Sequence, residues 1–237
     1  MWGILGGIVI ELGEAPIASV GELARVSSAF RVDRACEVSA AEGGGGFILS
    51  ERPIEAPYVK DYDSIPGEGP TQWARRFDVS RWGFVRAQSN GRLIGGAVIA
   101  LGSVDVGLFE GRQDLAVLWD IRVAPHVRGQ GVGSALFEAA EAWAVARRCR
   151  QLKIETQNIN VAACRFYARH GCVLGTVNRY AYPQLPHEVQ FLWYKDLADT
   201  KRLDAGAEQR LPPAAAGAIM SHRGERRCQQ ISRPAAL

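Results

Sequence analysis

The segment RGQGVG, from Arg128 to Gly133, places three glycines within five positions, directly before a helix-like pattern. Because glycine has no Cβ, such a segment turns sharply and leaves its backbone amides accessible. At the start of a helix these amides have no partner inside the helix, and together with the helix dipole they can bind an anion. Arg128 would add a cation at the edge of that site. The alternative is a turn that only reverses the chain, and these residues alone leave both interpretations open.

Two common phosphate-binding motifs do not describe this segment. A dinucleotide fingerprint requires G-x-G-x-x-G, but Ser134 stands where a third glycine should follow Gly129 and Gly131. A P-loop requires Gly-Lys-Ser or Gly-Lys-Thr, which is absent here. The local pattern is therefore a strand, a tight turn and a helix N-terminus.

Two further polar side chains follow at helical spacing. Asn160 and Tyr167 lie seven residues apart in NVAACRFYARHG, which is nearly two helical turns, so both face the same way. Asn160 can also be a simple helix cap, and Tyr167 can also be a core residue. Cys164 lies in the same helix without an evident activating histidine or cation, so we interpret it as a packing residue and not as a nucleophile.

Hydrophobic periodicity predicts the elements that position these groups. The first fifty residues give a strand at GIVIEL and a helix from Ser19 with Leu23, Val26 and Phe30 at helical spacing. The Gly- and Pro-rich region 40–78 is expected to be in part a long functional loop. The remaining predicted elements are a hairpin at 82–101 around Asn90-Gly91, a strand at 114–125, a helix with Leu136, Phe137, Ala140, Trp143 and Ala144 as its apolar stripe, a strand at 151–157, a helix at 160–171, and strands at 172–183 and 187–197.

This order of strands and isolated helices predicts an α/β fold with one domain over residues 1–198. From 199 to 237 the composition shifts to Ala, Pro, Arg and Gln without periodicity, and we expect a disordered basic tail. The net charge of +3 gives no reason to expect nucleic acid as a partner. No apolar run approaches the roughly 20 residues that span a bilayer, and the apolar start is interpreted as a strand. The five scattered cysteines predict neither disulfides nor a metal site, so a cytoplasmic location is expected.

The glycine segment and its neighbours resemble the GNAT N-acetyltransferase superfamily. Arg128, Gly131 and Gly133 match the Arg/Gln-x-x-Gly-x-Gly/Ala signature of its acyl-CoA loop, and Asn160 and Tyr167 stand at the family's Asn-then-Tyr spacing. The segments WDIRVAPHVRGQGVGSALFEAAEAWA, ETQNINVAACRFYARHG, FLWYKDL and PYVKDYDS look like those of the streptothricin acetyltransferases within it. That resemblance covers about 57–197, with a core motif at about 80–197.

The resemblance implies a GNAT fold, with a mixed, mostly antiparallel sheet flanked by helices and with splayed central strands that bind acetyl-CoA. In that fold the backbone of Ile121 and Val123 would pair with the pantetheine arm, the amides from Arg128 to Ser134 would hold the pyrophosphate, and Asn160 would hydrogen-bond the pantetheine. The cofactor-binding residues implied are Ile121, Val123, Arg128, Gly129, Gln130, Gly131, Val132, Gly133, Ser134, Asn160, Ala163 and Tyr167.

The chemistry implied is attack of an amine on the acetyl thioester. Tyr167 is the candidate acid that protonates the departing thiolate. Asp120 is the first candidate for the group that takes a proton from the amine, and Glu155 on the next strand is the second. Either carboxylate can instead be solvated or paired with a cation, for which Arg122 and Lys153 are the obvious partners.

The acceptor implied is a small cationic amine, in first place the β-lysine amine of streptothricin. A polycation calls for anionic and aromatic walls, and ordinary surface-loop composition is the alternative for each candidate. The predicted acceptor-binding residues are Tyr58, Asp61, Tyr62, Trp73 and Asp120, with Asp63 and Glu68 nearby. Other acceptors that stay open are a polyamine, an aminoglycoside, a protein N-terminus or a lysine, and a CoA-binding sensor without turnover is a different class. A homodimer is an open expectation.

Overall fold

The structure is a computed structural model that describes residues 2–5, 8–103 and 106–197. The strands are β1 (Trp2–Leu5), β2 (Ile8–Ala15), β3 (Phe30–Ala40), β4 (Phe47–Lys60), β5 (Gly83–Ser89), β6 (Arg92–Ala100), β7 (Leu115–Val123), β8 (Gln151–Gln157), β9 (Val173–Asn178) and β10 (Gln190–Asp196). The α-helices are α1 (Trp73–Arg76), α2 (Val132–Ala146) and α3 (Val161–Arg169). The 3-10 helices span Ile17–Arg25, Glu42–Gly44, Tyr62–Ser64, Gly107–Phe109 and Pro125–Val127. The predicted tail at 199–237 lies outside the described residues.

Eight strands form the main sheet, in the order β1-β2-β5-β6-β7-β8-β10-β9. All neighbouring pairs in this sheet are antiparallel except β7 and β8, which run parallel. The predicted α/β fold with a mixed, mostly antiparallel sheet flanked by helices is thereby confirmed. Among the helices in the described ranges, none combines the length and apolar character that crossing a bilayer requires.

Several local predictions are confirmed. Asn90 and Gly91 turn the chain between β5 and β6, and both have positive φ (48° and 72°), as a type I′ turn requires. The predicted apolar stripe of α2 is buried against the sheet. Asn160 caps α3 and Gly171 follows its end.

The predicted helix from Ser19 to Phe30 is wrong in type and length. The chain forms a 3-10 helix that ends at Arg25, and Phe30 already begins β3. The buried residues Val20, Leu23 and Val26 repeat every three positions, which matches the three residues per turn of a 3-10 helix and not the 3.6 of an α-helix.

Region 40–78 is only in part the predicted loop, because β3 and β4 pair as a separate two-stranded ribbon. Gly43 and Gly44 make its turn, with φ of 78° and 72°. Most β4 residues are exposed or half-buried, so the strand carries no buried face and no alternation that could reveal it from the sequence. The ribbon is anchored by Asn158, since the Cys36 amide donates to the Asn158 carbonyl (2.8 Å) and Asn158 Nδ2 donates to the Cys36 carbonyl (3.1 Å).

Candidate active site

The glycine segment forms the corner between β7 and α2. Gly129 and Gly131 both adopt the left-handed conformation, with φ of 75° and 88°, which residues with a Cβ adopt only with strain. The amide of Ala135 donates to the Gly131 carbonyl (3.1 Å). Within the described part of the chain, no amide from Gly129 to Ser134 donates to a protein acceptor. Of these six residues, all but Val132 are exposed or half-buried. The corner therefore presents unpaired amides at the positive end of the helix dipole.

Arg128 does not contribute in the way the sequence suggested. Its Nε donates to the Val123 carbonyl (2.9 Å), and its guanidinium also donates to the carbonyls of Ser27 and Ala29. Its own amide donates to the Pro125 carbonyl at 3.4 Å. Burial lowers the pKa of Arg128. The side chain therefore ties the start of the corner to the segment before β3 and is not a free cation at an anion site.

The central strands separate directly beside this corner. Pairing between β7 and β8 runs from Leu115–Gln151 to Leu118–Ile154 and stops there, although β7 continues to Val123 and β8 to Gln157. The register of β7 against β6 shifts at the same level, between Val98 and Ile99. The strands are thus splayed as predicted, and one edge of β7 is unpaired along 119–123. Ile121 and Val123 lie on that edge, with the Val123 carbonyl already accepting from Arg128.

Asn160 and Tyr167 on α3 each carry a buried polar atom without a hydrogen-bond partner in the described structure: Asn160 Nδ2 and the Tyr167 hydroxyl. Asn160 Oδ1 accepts from the Ala163 amide (3.1 Å), so this amide is used in capping α3, and the role of Ala163 in cofactor binding stays a prediction. Tyr167 is fully buried and packs against Phe137 and Phe166, with ring centroids 5.8 and 5.3 Å away. Since buried polar atoms normally have partners, these two indicate that a polar ligand group belongs beside them.

Burial raises the pKa of Tyr167 well above its ordinary value, and the charges of Cys172 and Asp120 add to that effect. The phenol therefore keeps its proton through neutral and moderately alkaline pH. Such a group can donate a proton and cannot act as a base.

Asp120 is not the free carboxylate that the sequence predicted. It is buried, and both of its oxygens accept from Arg122, Oδ1 from Nε (2.9 Å) and Oδ2 from Nη2 (2.6 Å). Arg122 Nη1 also donates to Asp63 Oδ2 (2.5 Å). The roles of base and acceptor-binding residue assigned to Asp120 are therefore corrected to a structural ion pair, the alternative left open for this carboxylate.

Glu155 begins a hydrogen-bonded line of five side chains, which we name the Glu155–Glu188 chain: Glu155, Tyr182, Gln157, Tyr62 and Glu188. The Tyr182 hydroxyl donates to Glu155 Oε1 (2.6 Å), and Gln157 Nε2 donates to Tyr182 Oη (2.7 Å). Tyr62 Oη lies 2.9 Å from Gln157 Oε1 and 2.9 Å from Glu188 Oε2. Tyr182 is half-buried and the other four side chains are buried.

The chain lies where the strands separate, because Glu155 is the first β8 residue beyond the last β7–β8 pair. Lys60 forms an ion pair with the other oxygen of Glu188. Burial and the Glu188 charge raise the pKa of Tyr62, and burial and the Glu155 charge raise the pKa of Tyr182, so both phenols stay protonated. Sequence reasoning missed Gln157, Tyr182 and Glu188. The available signal was weak, a tyrosine and a glutamate on either side of the turn before the last strand.

The structure places the predicted acceptor-binding residues in different environments. Tyr62 lies in the Glu155–Glu188 chain, and Tyr58 is exposed on β4. The prediction for Trp73 is wrong, because this side chain is fully buried and packs edge-on against Trp119. Asp61 Oδ1 accepts from the Ser28 hydroxyl (2.8 Å) and from the Asp63 amide (3.1 Å), which caps the turn at 62–64, and the acceptor-binding role of Asp61 stays a prediction.

Neither a thiol nucleophile nor a metal centre is indicated by the described residues. Burial raises the pKa of Cys164 to about 12, so its thiol stays protonated, and its Sγ lies 3.6 Å from Thr156 Oγ1. No cluster of three or more metal-ligating side chains occurs within residues 2–5, 8–103 and 106–197.

Residues 51–172 match the acetyltransferase (GNAT) family. The chain is 41% identical over 81 residues to streptothricin acetyltransferase A of Bacillus subtilis, which covers 33% of this chain and 47% of that relative. It is 31% identical over 154 residues to streptothricin acetyltransferase of Escherichia coli, covering 63% of this chain and 76% of the relative. The match thus spans about half of the Bacillus subtilis relative.

A crystal structure with the same fold is that of a Bacillus anthracis acetyltransferase in complex with acetyl coenzyme A. It superposes with a TM-score of 0.62 at 23% identity, and the superposition covers 79% of this chain and 99% of that one. At this identity the likeness concerns the fold.

Proposed function

Because the chain belongs to the acetyltransferase (GNAT) family, we propose that it transfers the acetyl group of acetyl-CoA to an amine of a small cationic acceptor. The acceptor we propose is a streptothricin-type antibiotic, at its β-lysine amine, and the names of the Bacillus subtilis and Escherichia coli relatives support this choice. The observation that carries the proposal is the corner of accessible amides beside the point where β7 and β8 separate.

The residues at this point fit acetyl-CoA. The amides from Gly129 to Ser134 suit a pyrophosphate, since they are accessible at the helix N-terminus. The unpaired β7 edge at 119–123 suits the amides of a pantetheine arm, which would add to it like a strand. Asn160 Nδ2 and the Tyr167 hydroxyl would find in this ligand the partners they lack in the described structure.

When bound, acetyl-CoA supplies an activated acetyl thioester. Tyr167 Oη holds a proton that it can pass to the departing sulfur, because a phenol with a pKa near 10 or higher stays protonated at neutral pH. Its burial keeps water away from the site of proton transfer. The Tyr167 phenolate can then take up the second proton of the amine and return to its starting state.

The acceptor amine must lose a proton before it attacks. An alkyl ammonium with a pKa of about 10 is only about a thousandth neutral near pH 7, and a general base is typically worth about 100- to 10,000-fold in rate. We assign this role to Glu155, because Asp120 is bound on both oxygens by Arg122. Glu155 can act directly or across the hydroxyl of Tyr182.

Release of free CoA from acetyl-CoA tests the proposal, with streptothricin, an aminoglycoside, spermidine and a lysine peptide as separate acceptors. We expect turnover with streptothricin. Turnover only with another amine would keep the enzyme class and overturn the acceptor. Binding of acetyl-CoA without turnover on any of them would instead identify a CoA-binding sensor.

Three further expectations belong to this proposal. The acceptor is a small molecule and neither nucleic acid nor a membrane is a partner. A cytoplasmic location is expected because the five scattered cysteines fit a reducing compartment. Size-exclusion chromatography with light scattering tests the homodimer.

A further inference from the structure

We propose that the Glu155–Glu188 chain lacks one proton when both of its carboxylates are ionised, and that it takes up this proton from the acceptor ammonium. This inference rests on the proposed function and deepens it, since it identifies five side chains as one proton-accepting unit. It follows from counting the protons that the hydrogen-bond geometry requires.

Four contacts join the five side chains: Glu155–Tyr182, Tyr182–Gln157, Gln157–Tyr62 and Tyr62–Glu188. Each contact joins two heavy atoms 2.6 to 2.9 Å apart, and a hydrogen bond at such a distance needs one proton between them. Each phenol has one hydroxyl proton, and the raised pKa values of Tyr62 and Tyr182 keep both protons in place.

The amide of Gln157 supplies the third proton and no more. One end of the amide faces Tyr182 and the other faces Tyr62, so its NH2 can serve one neighbour and its oxygen must accept from the other. Three protons therefore serve four contacts. Two electronegative atoms remain in contact without a proton between them, which is unfavourable in a buried site.

One added proton completes the line in either orientation of the amide. If the Gln157 oxygen faces Tyr62, the added proton belongs on Glu188, which then donates to Tyr62. If the oxygen faces Tyr182, the added proton belongs on Glu155, which then donates to Tyr182. The added proton enters at the Glu155 end, beside the separated strands, because Tyr182 is half-buried and the other four side chains are buried. The Gln157 amide then turns from the orientation in the structure, so that its oxygen accepts from Tyr182 and its NH2 donates to Tyr62.

The transfer balances without a further reactant. The acceptor nitrogen loses one proton to the half-buried Tyr182 hydroxyl as that hydroxyl passes its own proton to Glu155 Oε1. The neutral amine then forms the new C–N bond, and the C–S bond breaks as described above. The chain releases its proton to solvent after the reaction, and both carboxylates are ionised again.

Among residues 8–103 and 106–197, charged groups on the neighbouring strands β4 and β7 form ion pairs. Lys60 from β4 contacts Glu188, and the Glu188 charge also reaches Tyr58 on the same strand. On β7, Asp120 and Arg122 pair with each other, and Arg122 also binds Asp63.

Infrared difference spectra of the protein with 13C-labelled glutamate, recorded between about pH 8 and about pH 5.5, test this without any substrate. An ordinary glutamate, with a pKa of about 4.3, is still about 94% ionised at pH 5.5, so the band of interest is the excess of the wild type over the variants described below. We expect a carboxylic-acid C=O band to grow in the wild-type protein as the pH is lowered. Its absence would overturn the inference.

Two variants interrupt the chain at different contacts. Gln157→Leu leaves two separate Glu–Tyr pairs, and Tyr62→Phe leaves Glu155, Tyr182 and Gln157 with one proton for each remaining contact. We expect the band to disappear in both, and the acid limb of kcat/KM to shift down by about one pH unit. Tyr180→Phe is the matched control, because Tyr180 lies in the same loop as Tyr182 but is 85% exposed. It should keep the band and the pH profile.

The outcomes separate this inference from the proposed function. A band that is present in the wild type and absent in both variants, without turnover on any amine, refutes the proposed function and supports the shared proton. Turnover on streptothricin without the band, or a band that persists in both variants, refutes the shared proton and leaves the proposed function standing. Tyr62→Phe decides the matter if Gln157→Leu does not fold.

Discussion

Arg122 lies two residues after Asp120 on β7 and donates hydrogen bonds of 2.9 and 2.6 Å to its two carboxylate oxygens. Both side chains are almost fully buried, at 1% and 2% exposure. A carboxylate held in this way accepts a further proton only if the ion pair is weakened, which is costly in a buried site. The pair accordingly stabilises the unpaired half of β7.

Asp120→Ala should destabilise the protein by about 3–5 kcal/mol, because it leaves the Arg122 guanidinium buried without its main partner. Urea denaturation of the variant and the wild type measures this difference. Asp33→Ala is the control, since the Asp33–Arg31 pair is 3.9 Å long and exposed and should contribute little. Full stability of Asp120→Ala with loss of activity would restore Asp120 as a catalytic residue.

Glu155→Gln should lower kcat by about 100- to 10,000-fold, the range typical of a lost general base. The amide keeps the size of the side chain, so the fold and the KM for acetyl-CoA should change little. Steady-state kinetics and a thermal melt provide the two readouts. Glu138→Gln, on the exposed face of α2, is the control and should behave as the wild type. An equal loss in the control would point to a general charge effect.

Tyr167→Phe should slow the reaction by about 100-fold or less, without abolishing it, because a thiolate whose acid has a pKa of about 8.5 can leave the site and take its proton from solvent. Thermal stability should be retained, since the hydroxyl has no partner in the described structure, and acetyl-CoA should still bind through the corner amides. Burial raises the pKa of Tyr167, so the phenol stays protonated as the pH rises. The alkaline limb of the kcat profile should therefore have the same midpoint in both proteins. Loss of the fold in Tyr167→Phe would assign the residue a structural role instead.

Gly131→Ala should weaken acetyl-CoA binding at least 10-fold and cost about 1–2 kcal/mol of stability, because an alanine at a φ of 88° is strained. Gly91→Ala is a matched control, since Gly91 also has a positive φ (72°) but lies in the β5–β6 turn. It should show a similar loss of stability with unchanged affinity. Isothermal titration with acetyl-CoA distinguishes the two variants. Equal affinity in both would show that the corner only reverses the chain.

Cys164→Ser should keep most of the activity, which would exclude a covalent acetyl-cysteine. Burial raises the pKa of Cys164 to about 12, so at pH 8 only about one thiol in ten thousand is ionised. Iodoacetamide at that pH should leave Cys164 unlabelled in the folded protein, as mass spectrometry can establish. Rapid labelling that abolishes turnover would reverse this interpretation.

The parts of the fold that the sequence predicts well are those that depend on short-range rules. Asn90-Gly91 demands a hairpin turn, Asn160 caps the helix that follows it, and the α2 stripe repeats at 3.6 residues. The β3–β4 ribbon is not predicted from the sequence, because most residues of its two long strands are exposed or half-buried. The burial of Trp73 is not predicted from the sequence, because only tertiary packing brings this side chain against Trp119.

The residues of the candidate site likewise fall into those that a local pattern predicts and those that only tertiary contacts bring together. The corner glycines and Asn160 act through their own local backbone, so a short motif reveals them. Gln157 and Glu188 contact Tyr62 across separations of 95 and 126 residues. Tyr182 contacts Glu155 and Gln157 across 27 and 25 residues, and no local pattern encodes such contacts. For Asp120 the sequence predicts Arg122 as a possible partner. It does not predict whether the carboxylate forms an ion pair or takes part in catalysis.

The parallel contact between β7 and β8 holds for only four residue pairs, from Leu115–Gln151 to Leu118–Ile154. The main sheet is thus two half-sheets joined by a short seam, one built by β1, β2, β5, β6 and β7 and the other by β8, β10 and β9. A ligand that binds between the separated parts of β7 and β8 would contact both half-sheets. It would thereby stabilise the native state relative to the unfolded state. The supply of thioester in the cell would then govern how long this protein survives, as well as how fast it works.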